Sequence, residues 1–191
     1  MINYHTTLQL TCILYGGAMY QYTMHIMWNI REVIPLIVID IPGRGELNLQ
    51  HLVLDYNGTI AFDGSLIKGV EEELNQLAPE LNIYVITADT FGTVRQKCKK
   101  FQCEIKVLNN SNGTLEKEQF IDSLGAANVV AIGNGANDSL MLKKAALGIV
   151  VIGGEGAAQI TVKEADIVVN NIHDALELLL NKIRIKATLR S

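Results

Sequence analysis

The chain has 191 residues, of which 49% are hydrophobic and 19% are charged, and its formal net charge is −4 at pH 7. This length and balance predict one folded domain with a sizeable core. The negative net charge gives no overall electrostatic footprint of a nucleic-acid-binding protein, so no nucleic-acid partner is expected. The three cysteines lack the spacing of a metal site and are interpreted as reduced thiols, which favours a cytoplasmic protein.

Residues 1–35 differ in pattern from the rest of the chain. Their apolar stretch, from Thr11 to Trp28, is interrupted by polar residues and is too short and too polar to span a bilayer. It also lacks the positive start and the cleavage site of a signal peptide. We interpret residues 1–35 as a doubtful N-terminal extension, produced by a start codon placed too far upstream, with the protein proper at 36–191. A poorly ordered or interface-forming extension is the alternative.

From residue 36 onward, strand and helix patterns alternate. The first is a hairpin with strands at 36–41 and 46–49, joined by a Pro-Gly turn. Further strands are predicted at 51–54, 82–86, 104–107, 129–132, 147–152 and 166–169. Helices are predicted at 66–77, 93–101, 115–124, 139–144, 157–164 and 173–183. This order indicates a doubly wound, Rossmann-like α/β fold, in which helices cover both faces of a parallel sheet.

The stretch at 51–64 places an acid where open α/β sheets bind their ligands, at the carboxyl end of a strand. Asp55 ends the strand. Gly58 lets the backbone approach a ligand, and Thr59 offers a hydroxyl to the acid or to a phosphate oxygen. Taken alone, the same pattern is that of an ordinary turn.

Four other polar residues, at strand ends or near a helix start, complement Asp55. Thr87 ends a strand and could supply a hydroxyl, while Lys117 lies near the start of a helix and could supply an ammonium group. Asn134 and Asp138 follow the strand at 129–132. A carboxylate nucleophile acting on phosphate needs such donors together with a cation. Asp55 and Asp138 could hold Mg²⁺, which prefers oxygen ligands and few carboxylates.

Taken in order, these motifs resemble those of the haloacid dehalogenase (HAD) superfamily. Residues 55–59 (DYNGT) are similar to its first motif, Asp-x-x-Gly-Thr, and residues 87–89 (TAD) to its second. Lys117 looks like the third motif, and residues 133–138 (GNGAND) like the fourth. The resemblance covers about residues 36–180. It is most specific to the phosphorylation domain of P-type ATPases and to the soluble P-type-ATPase-like phosphatases.

The resemblance implies a Mg²⁺-dependent phosphohydrolase that works through an aspartyl phosphate. Asp55 is the expected nucleophile, and Thr87 and Lys117 complete the expected catalytic set. The expected Mg²⁺ ligands are Asp55, the Asn57 carbonyl, Asn134 and Asp138. The expected substrate-binding residues are Asn57, Gly58, Thr59, Ala88 and Asn137. Asp89 is expected to brace the site.

Two residues depart from the family pattern. Asn57 stands where family phosphatases usually carry a second Asp, which protonates the leaving group and then activates water. An amide cannot transfer a proton, so we expect slow turnover and a long-lived phospho-Asp55. Asn134 stands where the family commonly has a Mg²⁺-binding Asp, so metal affinity should be weaker. Together they favour an alternative function, that of a catalytically impaired HAD domain that binds phosphate or a partner as a regulatory module.

The segments between Asp55 and Thr87 and between Thr87 and Lys117 are fully used by predicted strands and helices. We therefore expect a capless domain without the nucleotide-binding insertion of the ATPases. Specific ATP binding of that type is not expected, nor is an association with membrane. The expected partner is a phosphorylated substrate of unassigned identity, and homo-oligomerisation is left open.

Overall fold

The computed structural model describes residues 6–13, 19–26, 36–88, 93–109 and 112–191, the first two ranges by their backbone alone. The chain divides into two compact units, 1–33 and 34–191. In the first unit, β1 (Thr6–Ile13) pairs antiparallel with β2 (Met19–Ile26). The sequence analysis assigned no strands there. The interpretation of residues 1–35 as a doubtful extension lies largely outside the described residues and stays a prediction.

The second unit begins with the predicted hairpin. In it, β3 (Ile37–Ile41) pairs antiparallel with β4 (Gly45–Leu49), with Ile37 opposite Leu49. The isoleucines of β3 are buried and the residues between them are exposed, which is the period-two pattern of a strand with one face on the core. The prediction of this hairpin is confirmed.

A six-stranded sheet forms the centre of the second unit. Its strands are β5 (His51–Asp55), β8 (Asn82–Thr87), β9 (Glu104–Val107), β10 (Val129–Gly133), β11 (Leu147–Val151) and β12 (Ile167–Val169). The order is β12-β11-β10-β5-β8-β9, and every neighbouring pair is parallel. A short antiparallel pair, β6 (Ala61–Phe62) and β7 (Ser65–Leu66), follows β5. The predicted parallel sheet is confirmed.

The described residues form seven helices, of which five lie between strands and two follow β12. They are α1 (Val70–Leu77), α2 (Thr93–Lys97), α3 (Gly113–Ser123), α4 (Ser139–Lys144), α5 (Gln159–Glu164), α6 (Ile172–Leu180) and α7 (Lys182–Leu189). Short 3₁₀ turns lie at Cys98–Lys100, Ala126–Asn128 and Ala136–Asp138. No helix among the described residues has the length and apolarity needed to cross a membrane.

Two predicted helix boundaries were wrong. The helix expected from Leu66 begins only at Val70, because Leu66 pairs with Ala61 in the β6–β7 hairpin and Gly69 precedes the helix with a φ of 94°. Only a glycine adopts that conformation readily. The helix expected at 173–183 is two helices, separated at Asn181, whose backbone leaves the helical region (φ −120°, ψ 75°).

The core lies on both faces of the sheet, as expected for a doubly wound fold. On β5, Leu52 and Leu54 face one apolar cluster that includes Leu74 of α1. Val53 faces the other, which includes Ile121 of α3. A strand buried on both faces has only its ends available for polar side chains. Asp55, at the carboxyl end of β5, therefore lies at the edge of the sheet where neighbouring loops meet.

Candidate active site

The sheet register brings the predicted motifs to one edge. β5 lies between β10 and β8, with Leu54 opposite Ile132 and Asp55 opposite Ile86. Thr87 is the next residue of β8, and the loop after β10 begins one residue beyond Gly133. The carboxyl ends of the three strands thus place Asp55, Thr87 and the 134–138 loop side by side.

Lys117 lies between two carboxylates. Its Nζ is 2.6 Å from Asp55 Oδ1 and 2.6 Å from Asp138 Oδ1. The side chain of Lys117 is 1% exposed, that of Asp138 is 0% exposed and that of Asp55 is 13% exposed. Helix α3 supplies the lysine from the face that also buries Ile121. These three residues, Asp55, Lys117 and Asp138, are called the charged triad below.

Asp138 is held by its own loop. Its second oxygen, Oδ2, accepts hydrogen bonds from the backbone N–H groups of Asn134 (2.9 Å) and Gly135 (2.8 Å). The loop can fold this tightly because residue 133 is glycine: a Cβ there would lie 2.6 Å from Asp138 Cγ. Both oxygens of Asp138 are therefore engaged, one by the loop and one by Lys117.

The first and fourth motifs meet at Asn134, which is buried. Its Nδ2 donates to the Gly156 carbonyl at 3.0 Å, and its Oδ1 accepts from the Thr59 hydroxyl at 3.3 Å. Gly58 has a φ of 77°, and a Cβ on it would lie 2.3 Å from Asn134 Nδ2. This close approach explains why residue 58 is glycine. The hydrogen bond from the Thr59 hydroxyl gives that fully buried residue an observed role in orienting Asn134.

The other predicted site residues differ in accessibility. Thr87 is buried, whereas Asn57, Ala88 and Asn137 are exposed at the same edge of the sheet. Asp89 lies outside the described residues. The expected contacts of these residues with substrate stay predictions.

Sequence reasoning missed Gly156, whose carbonyl fixes which way the Asn134 amide points. A carbonyl can only accept a hydrogen bond, so it must face the amide nitrogen. The signal was present in the sequence, since Gly153, Gly154 and Gly156 cluster directly after the strand at 147–151. Such a cluster marks a loop whose backbone approaches another group closely.

The charged triad carries more negative than positive charge. Burial, and then the charge of Asp138, raise the pKa of Asp55 to about 7, while Lys117 acts in the opposite direction. For Lys117, burial lowers the pKa, but the charges of Asp55 and Asp138 outweigh burial and leave it raised. Two carboxylates share one ammonium, so an additional cation would stabilise the site.

The donor atoms fit Mg²⁺ better than a metal that prefers nitrogen or sulfur. Within the described ranges, no group of three or more His, Cys, Asp and Glu side chains is arranged to hold an ion. Mg²⁺ takes oxygen ligands from one or two carboxylates and keeps several waters. Asp55, the Asn57 carbonyl and Asn134 offer such oxygens. Asp138 would join them only by giving up one of its present hydrogen bonds.

Comparison with solved structures identifies the fold. The chain is similar to the cobalt-bound deoxy-D-mannose-octulosonate 8-phosphate phosphatase of Haemophilus influenzae, with a TM-score of 0.60 and 12% identity over 75% of this chain and 94% of that chain. The corresponding Moraxella catarrhalis phosphatase, in complex with magnesium, phosphate and KDO, gives a TM-score of 0.54 and 17% identity over 74% and 94%. A Streptomyces avermitilis protein ascribed to the HAD hydrolase family gives 0.52 and 19% over 64% and 76%. The chain therefore has the fold of the HAD-family hydrolases. The narrower resemblance to P-type ATPase phosphorylation domains stays a prediction.

Two proteins related in sequence to this chain are uncharacterized. No family model matches the chain. It is 61% identical over 62 residues to the uncharacterized protein MJ0073 of Methanocaldococcus jannaschii, covering 32% of this chain and 67% of that protein. It is 49% identical over 39 residues to the uncharacterized protein MJ0072 of the same organism, covering 20% and 89%. The chain belongs to the same family as these two proteins.

Proposed function

We propose that the domain at 36–191 is a Mg²⁺-dependent phosphohydrolase that works through an aspartyl phosphate on Asp55. The observation that carries the proposal is the position of Lys117, buried with its ammonium 2.6 Å from both Asp55 and Asp138. A buried ammonium at a carboxylate on a strand end is the arrangement that attracts and holds a phosphoryl group. The fold shared with phosphatases, one of them in complex with magnesium and phosphate, supports it.

In the proposed reaction, an oxygen of Asp55 attacks phosphorus as the bond to the leaving oxygen breaks, and that oxygen keeps the bonding electron pair. Lys117 offsets the negative charge of the transferred group, and the Thr87 hydroxyl donates to a phosphoryl oxygen. Mg²⁺ held by Asp55, the Asn57 carbonyl, and Asn134 or Asp138 would supply positive charge to the phosphoryl oxygens. Water then hydrolyses phospho-Asp55 and restores the carboxylate.

The residue at the exposed position 57 limits the rate of the second step, the hydrolysis of phospho-Asp55. A positioned acid or base contributes about 10²–10⁴-fold to such a reaction, and the amide of Asn57 contributes none of it. The proposed enzyme is therefore slow, and phospho-Asp55 accumulates. The free cysteines Cys98 and Cys103 support a reducing, cytoplasmic location as part of this proposal.

Asn57 and Asn134 together support a second candidate, a HAD domain that retains phosphate or partner binding without turnover. The two functions differ in whether a covalent adduct forms at all. A binding module needs the charge of Lys117 but not the nucleophilicity of Asp55.

Acid-quench trapping with ³²P-labelled acetyl phosphate, with and without EDTA, separates them. We expect a Mg²⁺-dependent, acid-stable and base-labile phosphoprotein in the wild type and none in Asp55→Asn, with hydrolysis falling at least about 10³-fold in the variant. Asp63→Asn, a change of the same kind at an exposed loop position, is the matched control and should be labelled as the wild type is. Phosphate binding without any adduct in a folded wild type would favour the binding module instead.

A further inference from the structure

A cavity of about 280 Å³ lies beside the loop that follows Asp55. Its wall is almost wholly apolar, and it is formed by three segments that are distant in sequence. Residues that line it include Gly58, Thr59, Phe62, Ile67, Gly153 and His173.

The cavity lies next to the proposed reaction centre. Gly58 and Thr59, which line it, belong to the loop that directly follows Asp55, and Thr59 contacts Asn134. Across the cavity, the loop after β11 approaches them closely: a Cβ on Gly153 would lie 3.4 Å from the Gly58 carbonyl oxygen. Both segments leave the carboxyl ends of parallel strands. The cavity therefore opens at the same edge of the sheet as the charged triad.

The polar side chains at the wall each have at least one partner. His173 is the only titratable side chain among the described residues that line the cavity, and its Nδ1 lies 2.8 Å from Glu73 Oε2. The Asn171 side chain exchanges two hydrogen bonds with Asp174. A charged or polyhydroxylated group would therefore find few free partners there, and burying it would be unfavourable. An engineered apolar cavity of about 150 Å³ binds benzene, so a single aromatic ring fits this volume.

The exposed Asn57 leads independently to the same chemistry. Without a proton donor at that position, the leaving oxygen departs as an anion. A phenol, with a pKa of about 10 as in tyrosine, leaves far more readily than an alkoxide, whose conjugate acid is a much weaker acid. An aromatic leaving group fits the apolar cavity, and it also departs readily without a proton donor at position 57.

We propose that this protein acts on aryl phosphates, with the aromatic ring in the cavity and the phosphoryl group at Asp55. The inference rests on the proposed function. In the step it describes, the Asp55 oxygen forms a bond to phosphorus, the bond from phosphorus to the aryl oxygen breaks, and the aryloxide leaves with the electron pair and takes its proton from water.

The test compares three phosphodonors on the full chain with Mg²⁺: phenyl phosphate, ethyl phosphate and acetyl phosphate. Acetyl phosphate has a good leaving group but no ring, so it reports the chemistry without the cavity. We expect Phe62→Ser to raise KM for phenyl phosphate about tenfold, because it removes an apolar wall, and to change kcat/KM for acetyl phosphate less than twofold. Val38→Ser is the matched control, since Val38 and Phe62 are each 46% exposed and Val38 lies in the β3–β4 hairpin.

The outcomes separate this inference from the proposed function. Hydrolysis of acetyl phosphate without any preference for phenyl over ethyl phosphate overturns the aryl specificity alone. The same conclusion follows if Phe62→Ser and a second wall variant, Ile67→Ala, both leave KM for phenyl phosphate unchanged while circular dichroism shows a native fold. If neither acetyl nor phenyl phosphate is hydrolysed, the proposed function fails, and the substrate class fails with it.

Discussion

Asp55 ends β5, and Asp138 ends the loop after the neighbouring strand β10. Both bond the ammonium of Lys117, but they differ in exposure and in hydrogen bonding. Asp138 is fully buried, and both of its oxygens are engaged by Lys117 and by two backbone N–H groups. Asp55 retains some exposure and has its pKa raised to about 7 by burial and by the charge of Asp138. Under the proposed function, Asp138 anchors the site and Asp55 is the carboxylate that reacts.

The largest stability effect is expected at Lys117. Replacing it in Lys117→Met leaves two carboxylates without their ammonium, and breaking a buried pair in this way costs about 3–5 kcal/mol. Urea unfolding in EDTA at pH 7.5 measures the loss. Lys143→Met is the matched control, because Lys143 pairs with Glu164 at 3.1 Å but is 62% exposed, and it should change the free energy of unfolding by less than about 1 kcal/mol. Equal losses in the two variants would mean that the charged triad is no more than a surface ion pair.

The two aspartates should respond oppositely to amide substitution. The pKa of Asp55 is about 7 in the folded protein and about 3.9 in an unfolded chain. Between these values the folded state binds more protons, so the metal-free free energy of unfolding should fall as pH rises from about 4 to 7. Asp55→Asn removes that fall and should be more stable than wild type at pH 8 by about 2–4 kcal/mol.

Asp138→Asn should instead lose about 1–3 kcal/mol, because its amide nitrogen replaces an acceptor that serves Lys117 or the loop N–H groups. Urea titrations of both variants in EDTA, at pH 5 and pH 8, provide the comparison. An Asp55→Asn variant less stable than wild type at pH 8 would show that Asp55 anchors the site as Asp138 does.

A proton donor at position 57 should speed both the formation and the hydrolysis of phospho-Asp55. Asn57→Asp is expected to raise hydrolysis of ethyl phosphate about 10²-fold and to shorten the lifetime of phospho-Asp55, because the new carboxyl can protonate the alkoxide and then activate water. Steady-state kinetics and acid-quench labelling report the two effects. Asn75→Asp adds the same charge at an exposed site on α1 and should do neither. An unchanged rate would place position 57 out of reach of the leaving oxygen.

The smallest effect is expected at Asn134, which joins the loops of the two aspartates. In Asn134→Asp, a carboxylate oxygen would face the Gly156 carbonyl in place of the present 3.0 Å hydrogen bond. We expect a loss of about 1–3 kcal/mol in EDTA. The added charge should lower the Mg²⁺ concentration for half-maximal activity by about tenfold, which thermal unfolding and a Mg²⁺ titration of activity can measure. If stability falls while the Mg²⁺ requirement stays the same, Asn134 connects the two loops but does not bind Mg²⁺.

The sheet could be predicted because most of its strands are short apolar runs bounded by Gly, Asn or Asp, and such runs indicate buried parallel strands without tertiary information. The convergence of Asp55, Lys117 and Asp138 followed from the motif resemblance, since no local pattern shows that a lysine on α3 is buried. The start of α1 was misplaced because Leu66 satisfies a helical period while pairing with Ala61. The cavity beside Gly58 was not predictable, because its wall is assembled from segments that approach each other only in the folded chain.

The ammonium of Lys117 loses its hydration water when the chain folds, before any substrate binds. An ammonium that enters a protein interior must lose its hydration, and an enzyme that did this at each binding event would lose affinity by the same amount. Here Asp55 and Asp138 replace that hydration as the chain folds. An arriving phosphoryl group would then meet a cation that is already dry and fixed in position, with little left to reorganise. On this view, a phosphoryl group with a good leaving group would reach Asp55 quickly, and the slow step would be the departure of phosphate from Asp55.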